Sequence, residues 1–193
     1  MSFYNDLSRY QTIVNHLKQS KIDPDFLKLY DEIYTNVCSD KYLDVTHEYN
    51  RLDILIYLLI EAYHEYLSPE DEHFAEGYQD YFAHLLDTTI IQKDAKTTYR
   101  QMLLDTATLL KLNRFIQTSG PFSPTFLNAQ CPGKIEGWSN RHHLMLVAVA
   151  HNNNSLLKDK TLFSDDFLNA HCPGKQAGWT NRHQLIVQAV GHK

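Results

Sequence analysis

Cysteine and histidine recur near the end of this chain with a spacing that could serve metal or thiol chemistry. The pattern Cys-x10-His-x8-His occurs twice, 41 positions apart, as Cys131, His142 and His151 and as Cys172, His183 and His192. Thiolate and imidazole groups are suitable zinc ligands, and a cysteine activated by a nearby histidine can act as a nucleophile. A metal- or thiol-dependent enzyme is therefore one function to weigh.

Helix geometry and the missing motifs argue against that chemistry. His142 and His151 are nine residues apart, which is about 2.5 helical turns, so on one helix they point to opposite sides. Cys131 precedes Pro132 and Gly133 at a predicted helix C-terminus, where the helix dipole raises a thiol pKa. The sequence has no nucleophile elbow, phosphate loop, zinc-protease motif or dinucleotide fingerprint. We therefore predict no catalytic residue, no bound metal and no cofactor.

The duplicated residues belong to a longer internal repeat. Residues 122–151 and 163–192 align with most positions identical. Each copy predicts a short helix capped by Ser123 or Ser164, a Cys-Pro-Gly stop, a loop, and a second helix capped by Ser139 or Thr180. A fixed period of this size is typical of stacked helix–loop–helix units, none of which buries its apolar face alone. Arg100 stands one period before Arg141, so the preceding segment is a candidate third copy.

The polar and aromatic residues shared by the two copies are the candidate binding residues. They are Lys134, Trp138, Asn140, Arg141 and His142, matched by Lys175, Trp179, Asn181, Arg182 and His183. Arginine and tryptophan are the types most enriched at binding hot spots, and arginine recognises carboxylate or phosphate groups with two hydrogen bonds. The alternative is a duplication that has not diverged, in which asparagine caps helices and tryptophan fills the core.

The order of these residues resembles the ankyrin repeat. Asn128-Ala129 precedes Gly137-Trp138-Ser-x-x-His142, and the same order recurs from Asn169-Ala170 to His183. Three features depart from the ankyrin pattern. Asparagine follows Ser139 or Thr180 where proline is usual, and the alanine pair and the Gly-His pair fall at other offsets after the histidine. The period is 41 rather than 33. Other αα-hairpin arrays, such as HEAT repeats, have periods nearer this length. Either resemblance implies protein binding on a concave or loop-lined surface.

The remainder of the chain also has helical periodicity, so we predict an all-α fold. The predicted division is a helical bundle over residues 1–118 followed by two repeats over 119–193. About five helices should pack around residues 54–60, which are apolar on every side. Asp25 is a predicted helix cap, Ser68-Pro69 predicts a helix start, and residues 96–116 predict one continuous helix. No segment shows the alternation expected of a strand.

Charge and composition limit the partners. The net charge is −5 with a sequence pI near 6.1, which argues against nucleic acid and against an anionic membrane surface. An acidic, aromatic stretch over residues 61–76 contains Glu65, Glu70, Asp71, Glu72 and Glu76. It is either a solvated face with acidic residues at a helix N-terminus or a surface that would suit a basic protein partner. Three cysteines and no visible signal peptide predict the cytoplasm, or delivery into another cell. Leu185, Ile186, Val187 and Val190 in the last repeat suggest a covering partner or a homo-oligomer.

These observations together favour a non-enzymatic protein-binding module, either an adaptor or an inhibitor or immunity-type protein. It would act through the duplicated Lys, Trp, Asn, Arg and His residues and through the acidic aromatic face. The alternatives are the metal- or thiol-dependent enzyme and an RNA-binding helical repeat protein.

Overall fold

The fold is all-α apart from two short strands. A computed structural model of the chain describes residues 7–39, 45–92, 95–118 and 120–192. The chain divides into two compact units, Met1–Gln92 and Lys93–Lys193. Among the described residues, no helix has the length and apolar character needed to cross a bilayer.

The described residues of the N-terminal unit form four α-helices. They are α1 (Leu7–Leu17), α2 (Pro24–Cys38), α3 (Val45–Tyr63) and α4 (Pro69–Ala83), with a short 3-10 helix at His64–Tyr66. Two of the helix starts show why the chain turns where it does. Ser68 accepts a hydrogen bond from the amide of Asp71 at 3.2 Å and Pro69 opens α4, which confirms the predicted start. Asp23 rather than Asp25 caps α2, because the Asp23 carboxylate accepts from the Asp25 amide at 2.8 Å.

Helix α3 supplies the apolar centre of this unit. Residues 54–60 are all buried, as their uninterrupted apolar sequence predicts. Tyr57 stacks on Phe82 of α4, with ring centroids 4.4 Å apart. Tyr10 of α1 packs edge-on against Tyr78 of α4 at 5.8 Å. The tyrosine-rich composition therefore serves the core as well as the surface.

The C-terminal unit contains the two sequence repeats and the segment before them. Its helices are α5 (Tyr99–Leu109), α6 (Asn113–Thr118), α7 (Pro124–Asn128), α8 (Asn140–Ala150), α9 (Asn154–Leu157), α10 (Asp165–Asn169) and α11 (Asn181–His192), with a 3-10 helix at Gly120–Phe122. Helix α5 packs against α8, and α8 packs against α11. The division between the units thus lies earlier than the predicted one after residue 118.

Three sequence predictions about local structure need correction. Strands β1 (Thr89–Gln92) and β2 (Ala95–Thr98) form a two-stranded sheet, which was not predicted because neither stretch alternates apolar and polar residues. The predicted helix over 96–116 is broken, because Lys111 adopts a left-handed φ of 58°. Asp71, predicted to belong to the acidic surface, is fully buried and pairs with His16 at 2.7 Å and Arg9 at 3.4 Å.

A second buried carboxylate lies in the core of the N-terminal unit. The side chain of Asp53 on α3 is buried, and its Oδ1 accepts a hydrogen bond from the Tyr10 hydroxyl at 3.0 Å. The Tyr78 hydroxyl donates to the backbone carbonyl of Asp53 at 2.8 Å. Burial raises the pKa of Asp53 to about 8, against the opposing effect of the tyrosine hydrogen bonds. The folded protein therefore holds this carboxyl protonated at neutral pH.

This protonation predicts a pH-dependent stability. In the unfolded chain Asp53 ionises near its ordinary pKa of about 4, so the contribution of this group is present in full below pH 4. This contribution to stability falls as the pH rises from about 4 and is fully lost once the pH has passed through 8. Between these values the unfolded chain has released the Asp53 proton, whereas the folded protein keeps it. We expect Asp53→Asn to retain the acceptor for Tyr10 and to raise the free energy of unfolding at pH 8 more than at pH 5. Urea unfolding at both pH values measures this difference, and an equal effect at the two would contradict the assignment.

Candidate functional site

The loops of the two repeats have the same closed backbone. The Cys131 amide donates to the Trp138 carbonyl at 2.8 Å, and the Cys172 amide donates to the Trp179 carbonyl at the same distance. Antiparallel bridges Gln130–Ser139 and His171–Thr180 complete the two closures. Glycines with φ between 76° and 86° occupy the turns, at Gly133, Gly137, Gly174 and Gly178. We call residues 130–139 and 171–180 the loop edge.

The two loops also touch each other. The Ile135 side chain of the first loop lies over Gly174 of the second, where an added Cβ would collide with Ile135 Cδ1. A Cβ on Gly137 would lie 3.4 Å from Pro173 Cγ. The positive φ of 78° at residue 174 favours glycine there. The loop edge is thus one continuous surface.

A reciprocal pair of hydrogen bonds caps the second helix of each repeat. The Ser139 amide donates to His142 Nδ1 at 3.1 Å, while Ser139 Oγ accepts from the His142 amide at 3.3 Å. Thr180 and His183 make the same pair at 2.9 and 3.2 Å. Since Nδ1 accepts from a backbone N–H, each of these imidazoles must carry its proton on Nε2. One period earlier, Gln101 takes the histidine's place against Thr98 at the start of α5.

Buried side chains link each of these helix starts to the next. Gln101 Nε2 donates to Asn140 Oδ1 at 2.9 Å, and His142 Nε2 donates to Asn181 Oδ1 at 3.1 Å. The two asparagine amides donate in turn to backbone carbonyls of the preceding short helix, Asn140 to Phe126 at 2.9 Å and Asn181 to Phe167 at 2.7 Å. We call Gln101, Asn140, His142 and Asn181 the polar ladder.

The polar ladder is fully enclosed by protein. All four of its side chains are buried, and Asn181 is only 1% exposed. The His142 ring lies 4.9 Å from the ring of Trp138 and 4.9 Å from that of Phe167. Burial lowers the pKa of His142, outweighing the hydrogen bond to Asn181, so the imidazole is neutral at pH 7. The side chains of three predicted binding residues, Asn140, His142 and Asn181, are therefore buried and hydrogen-bonded within the protein.

The repeated arginines are half-buried and bind the chain itself. Arg141 donates to the Leu162 carbonyl and, at 3.0 Å, to Asn128 Oδ1. Arg100 donates in the same way to the Pro121 carbonyl at 2.8 Å. Arg182 instead pairs with Asp165 at 3.3 Å within its own repeat. Replacing Arg141 would therefore alter stability as well as any binding.

The other predicted residues divide between core and surface. Trp138 is buried against Cys131 and Cys172, and its indole N–H has no hydrogen-bond partner among the described residues. Trp179 is half-buried and donates to Gln184 Oε1 at 3.2 Å. The side chains of three predicted binding residues, Lys134, Lys175 and His183, are exposed. The two lysines lie on the loop edge.

The cysteines lie where thiol chemistry is disfavoured. Cys131 and Cys172 are both buried, and burial raises the pKa of each thiol despite the nearby lysines. A protonated, enclosed thiol is a poor nucleophile and a poor metal ligand. In the part of the chain that the structure describes, no three His, Cys, Asp or Glu side chains come together as a metal-binding group.

Two residues of the polar ladder and the loop edge, Gln101 and Ile135, were not predicted from the sequence. Gln101 stands 41 residues before His142 and next to Arg100, so the period itself could have identified it. Ile135 is 54% exposed on the loop edge, but Gln176 stands at its place in the second repeat, so identity between copies could not identify it. Comparison of the chain with protein-family models, curated proteins and solved structures found no match.

The polar ladder predicts unequal effects for two histidines of the same local sequence. His142→Ala leaves Asn181 Oδ1 and the Ser139 amide without their partner and opens a cavity, so it should cost about 2–4 kcal/mol. His183→Ala removes only the capping pair with Thr180 and should cost about 1 kcal/mol. His142→Gln should retain most of the stability, because Gln101 already makes both contacts in the preceding segment.

Urea unfolding followed by circular dichroism measures all three variants. Equal losses for His142→Ala and His183→Ala, or no rescue by glutamine, would show that the buried pair with Asn181 contributes nothing.

Proposed function

We propose that this chain is a non-enzymatic protein-binding module, an adaptor or an inhibitor or immunity-type protein, that engages its partner through the loop edge. The observation that carries the proposal is the contrast within the repeats. Most of the repeated polar residues are hydrogen-bonded inside the chain, whereas Lys134, Ile135 and Lys175 are exposed together on two touching loops. Ile135 is 54% exposed and lies over Gly174, so this apolar side chain is not part of the buried core.

The backbone of both loops is held in a fixed conformation, which favours a role in recognition. Both loops are closed by backbone hydrogen bonds, and both lead directly into helices fixed by the polar ladder. A loop whose backbone is already fixed loses less conformational entropy on association. Loops carried on a rigid scaffold are common sites of recognition. The resemblance of the repeats to ankyrin repeats points to the same kind of surface.

The chemistry of the loop edge indicates what the partner should present there. Ile135 offers an apolar contact, and Lys134 and Lys175 favour carboxylates around it. The N-terminal unit has a different character: Glu70, Glu72 and Glu76 of α4 are exposed. That acidic surface favours a basic region on a partner. We propose the loop edge as the primary contact because its geometry is fixed by two repeats.

The loop edge can be tested without disturbing the fold. We expect Lys134→Glu, Ile135→Asp and Lys175→Glu, combined in one variant, to abolish stoichiometric capture of the partner by tagged protein expressed in its source cells. All three side chains are exposed, so the unfolding midpoint should change little. The matched control is Lys18→Glu with Lys158→Glu, which makes the same two charge reversals at exposed positions on other elements.

Mass spectrometry of the captured material and circular dichroism of each variant are the measurements. Full capture by the folded triple variant, or equal loss in the control, would contradict binding through the loop edge.

A further inference from the structure

One side of α11 is exposed although the corresponding sides of the earlier helices are buried. His183, Ile186 and Val190 stand at the first, fourth and eighth positions of this stretch, so they share one face of the helix. Ile186 is 54% exposed and Val190 is 67% exposed. Val187, beside them, is also exposed. We call His183, Ile186 and Val190 the α11 face.

The preceding helices present the same face to a neighbour. On α8 the equivalent residues are His142, Met145 and Val149, and on α5 they are Gln101, Leu104 and Thr108; all six are buried. Because α5 packs against α8 and α8 packs against α11, each of these faces is covered from the next repeat. The α11 face is thus the third member of a series whose first two members are covered by one kind of structure.

The Nε2 atom of His183, on this face, also lacks the asparagine partner that the equivalent atoms of Gln101 and His142 have. Gln101 and His142 each donate to an asparagine at the first position of the next second helix, Asn140 and Asn181. His183 has the same ring orientation relative to its cap residue, and its Nε2 carries a proton. Among the described residues, that Nε2 has no hydrogen-bond partner.

We propose that the α11 face docks a further helix–loop–helix repeat of the same kind. An asparagine at the first position of the docked repeat's second helix would accept the Nε2 proton of His183, and its apolar residues would cover Ile186 and Val190. A second copy of this chain cannot supply that contact. Asn140 and Asn181 are buried in hydrogen bonds of their own, and Tyr99 takes the equivalent place on α5. This surface is separate from the loop edge, so the proposal does not depend on the proposed function.

The test supplies the proposed occupant directly. A second copy of residues 152–192 is joined after His192, which keeps the period of 41. We expect the thermal midpoint to rise by roughly 5 °C or more, since stability in repeat arrays grows with each interface. The Nε2 proton of His183 should change from fast to slow exchange with solvent in nitrogen-edited spectra. The matched control carries Asn181→Ala in the appended copy, and it should lose the slow exchange and part of the rise.

Two further comparisons keep the proposal open to refutation. In the extended chain, Val190→Asp in the native α11 places a carboxylate against the joined copy and should remove most of the rise in the thermal midpoint. In the native chain, where Val190 is 67% exposed, the same substitution should change the midpoint little. An unchanged midpoint in a folded extended chain, or equal effects of Val190→Asp in the two chains, overturns the proposal. A native dimer in sedimentation that Val190→Asp dissociates also overturns it, because the face would then belong to a second copy.

Discussion

The hydrogen bonds of the polar ladder fix the register of the C-terminal unit. A short helix–loop–helix segment leaves an apolar face uncovered, and apolar packing alone would tolerate sliding between neighbours. A buried amide or imidazole does not allow such sliding, because leaving a polar group unpaired in the interior costs more free energy than a hydrogen bond contributes. Gln101 with Asn140 and His142 with Asn181 therefore set where each helix lies against the next. The arginine contacts at Pro121 and Leu162 follow the same spacing.

This constraint changes the meaning of the repeated polar residues. Asn140, His142 and Asn181 are explained by a shared interior geometry, in which each side chain is hydrogen-bonded to a residue of the adjoining repeat. Selection for a ligand is not needed to explain them. The proposed recognition surface therefore consists of residues that are exposed on the loop edge, notably Lys134, Ile135 and Lys175. Burial of Cys131 and Cys172 also makes the duplicated thiols poor nucleophiles.

Sequence patterns predicted the parts of the fold that depend on neighbouring residues. The buried run 54–60 and the Ser68-Pro69 helix start are local signals, and both were confirmed. The break at Lys111 was missed because a lysine, and not the usual glycine, takes the left-handed position at the end of the helix. Asp71 was assigned to the surface because its pairing with Arg9 and His16 joins residues far apart in the chain. The polar ladder escaped prediction for the same reason: its partners lie 39 residues apart.

A double-mutant cycle between Gln101 and Asn140 tests the central claim most directly. The free energy of unfolding is measured for the native chain, Gln101→Ala, Asn140→Ala and the double variant. The polar ladder predicts a coupling free energy of about 1 kcal/mol between the two side chains. Either single substitution already breaks the hydrogen bond between them, so the second substitution cannot break it again. Strictly additive losses would contradict it, since they would mean that the two side chains contribute to stability independently of each other.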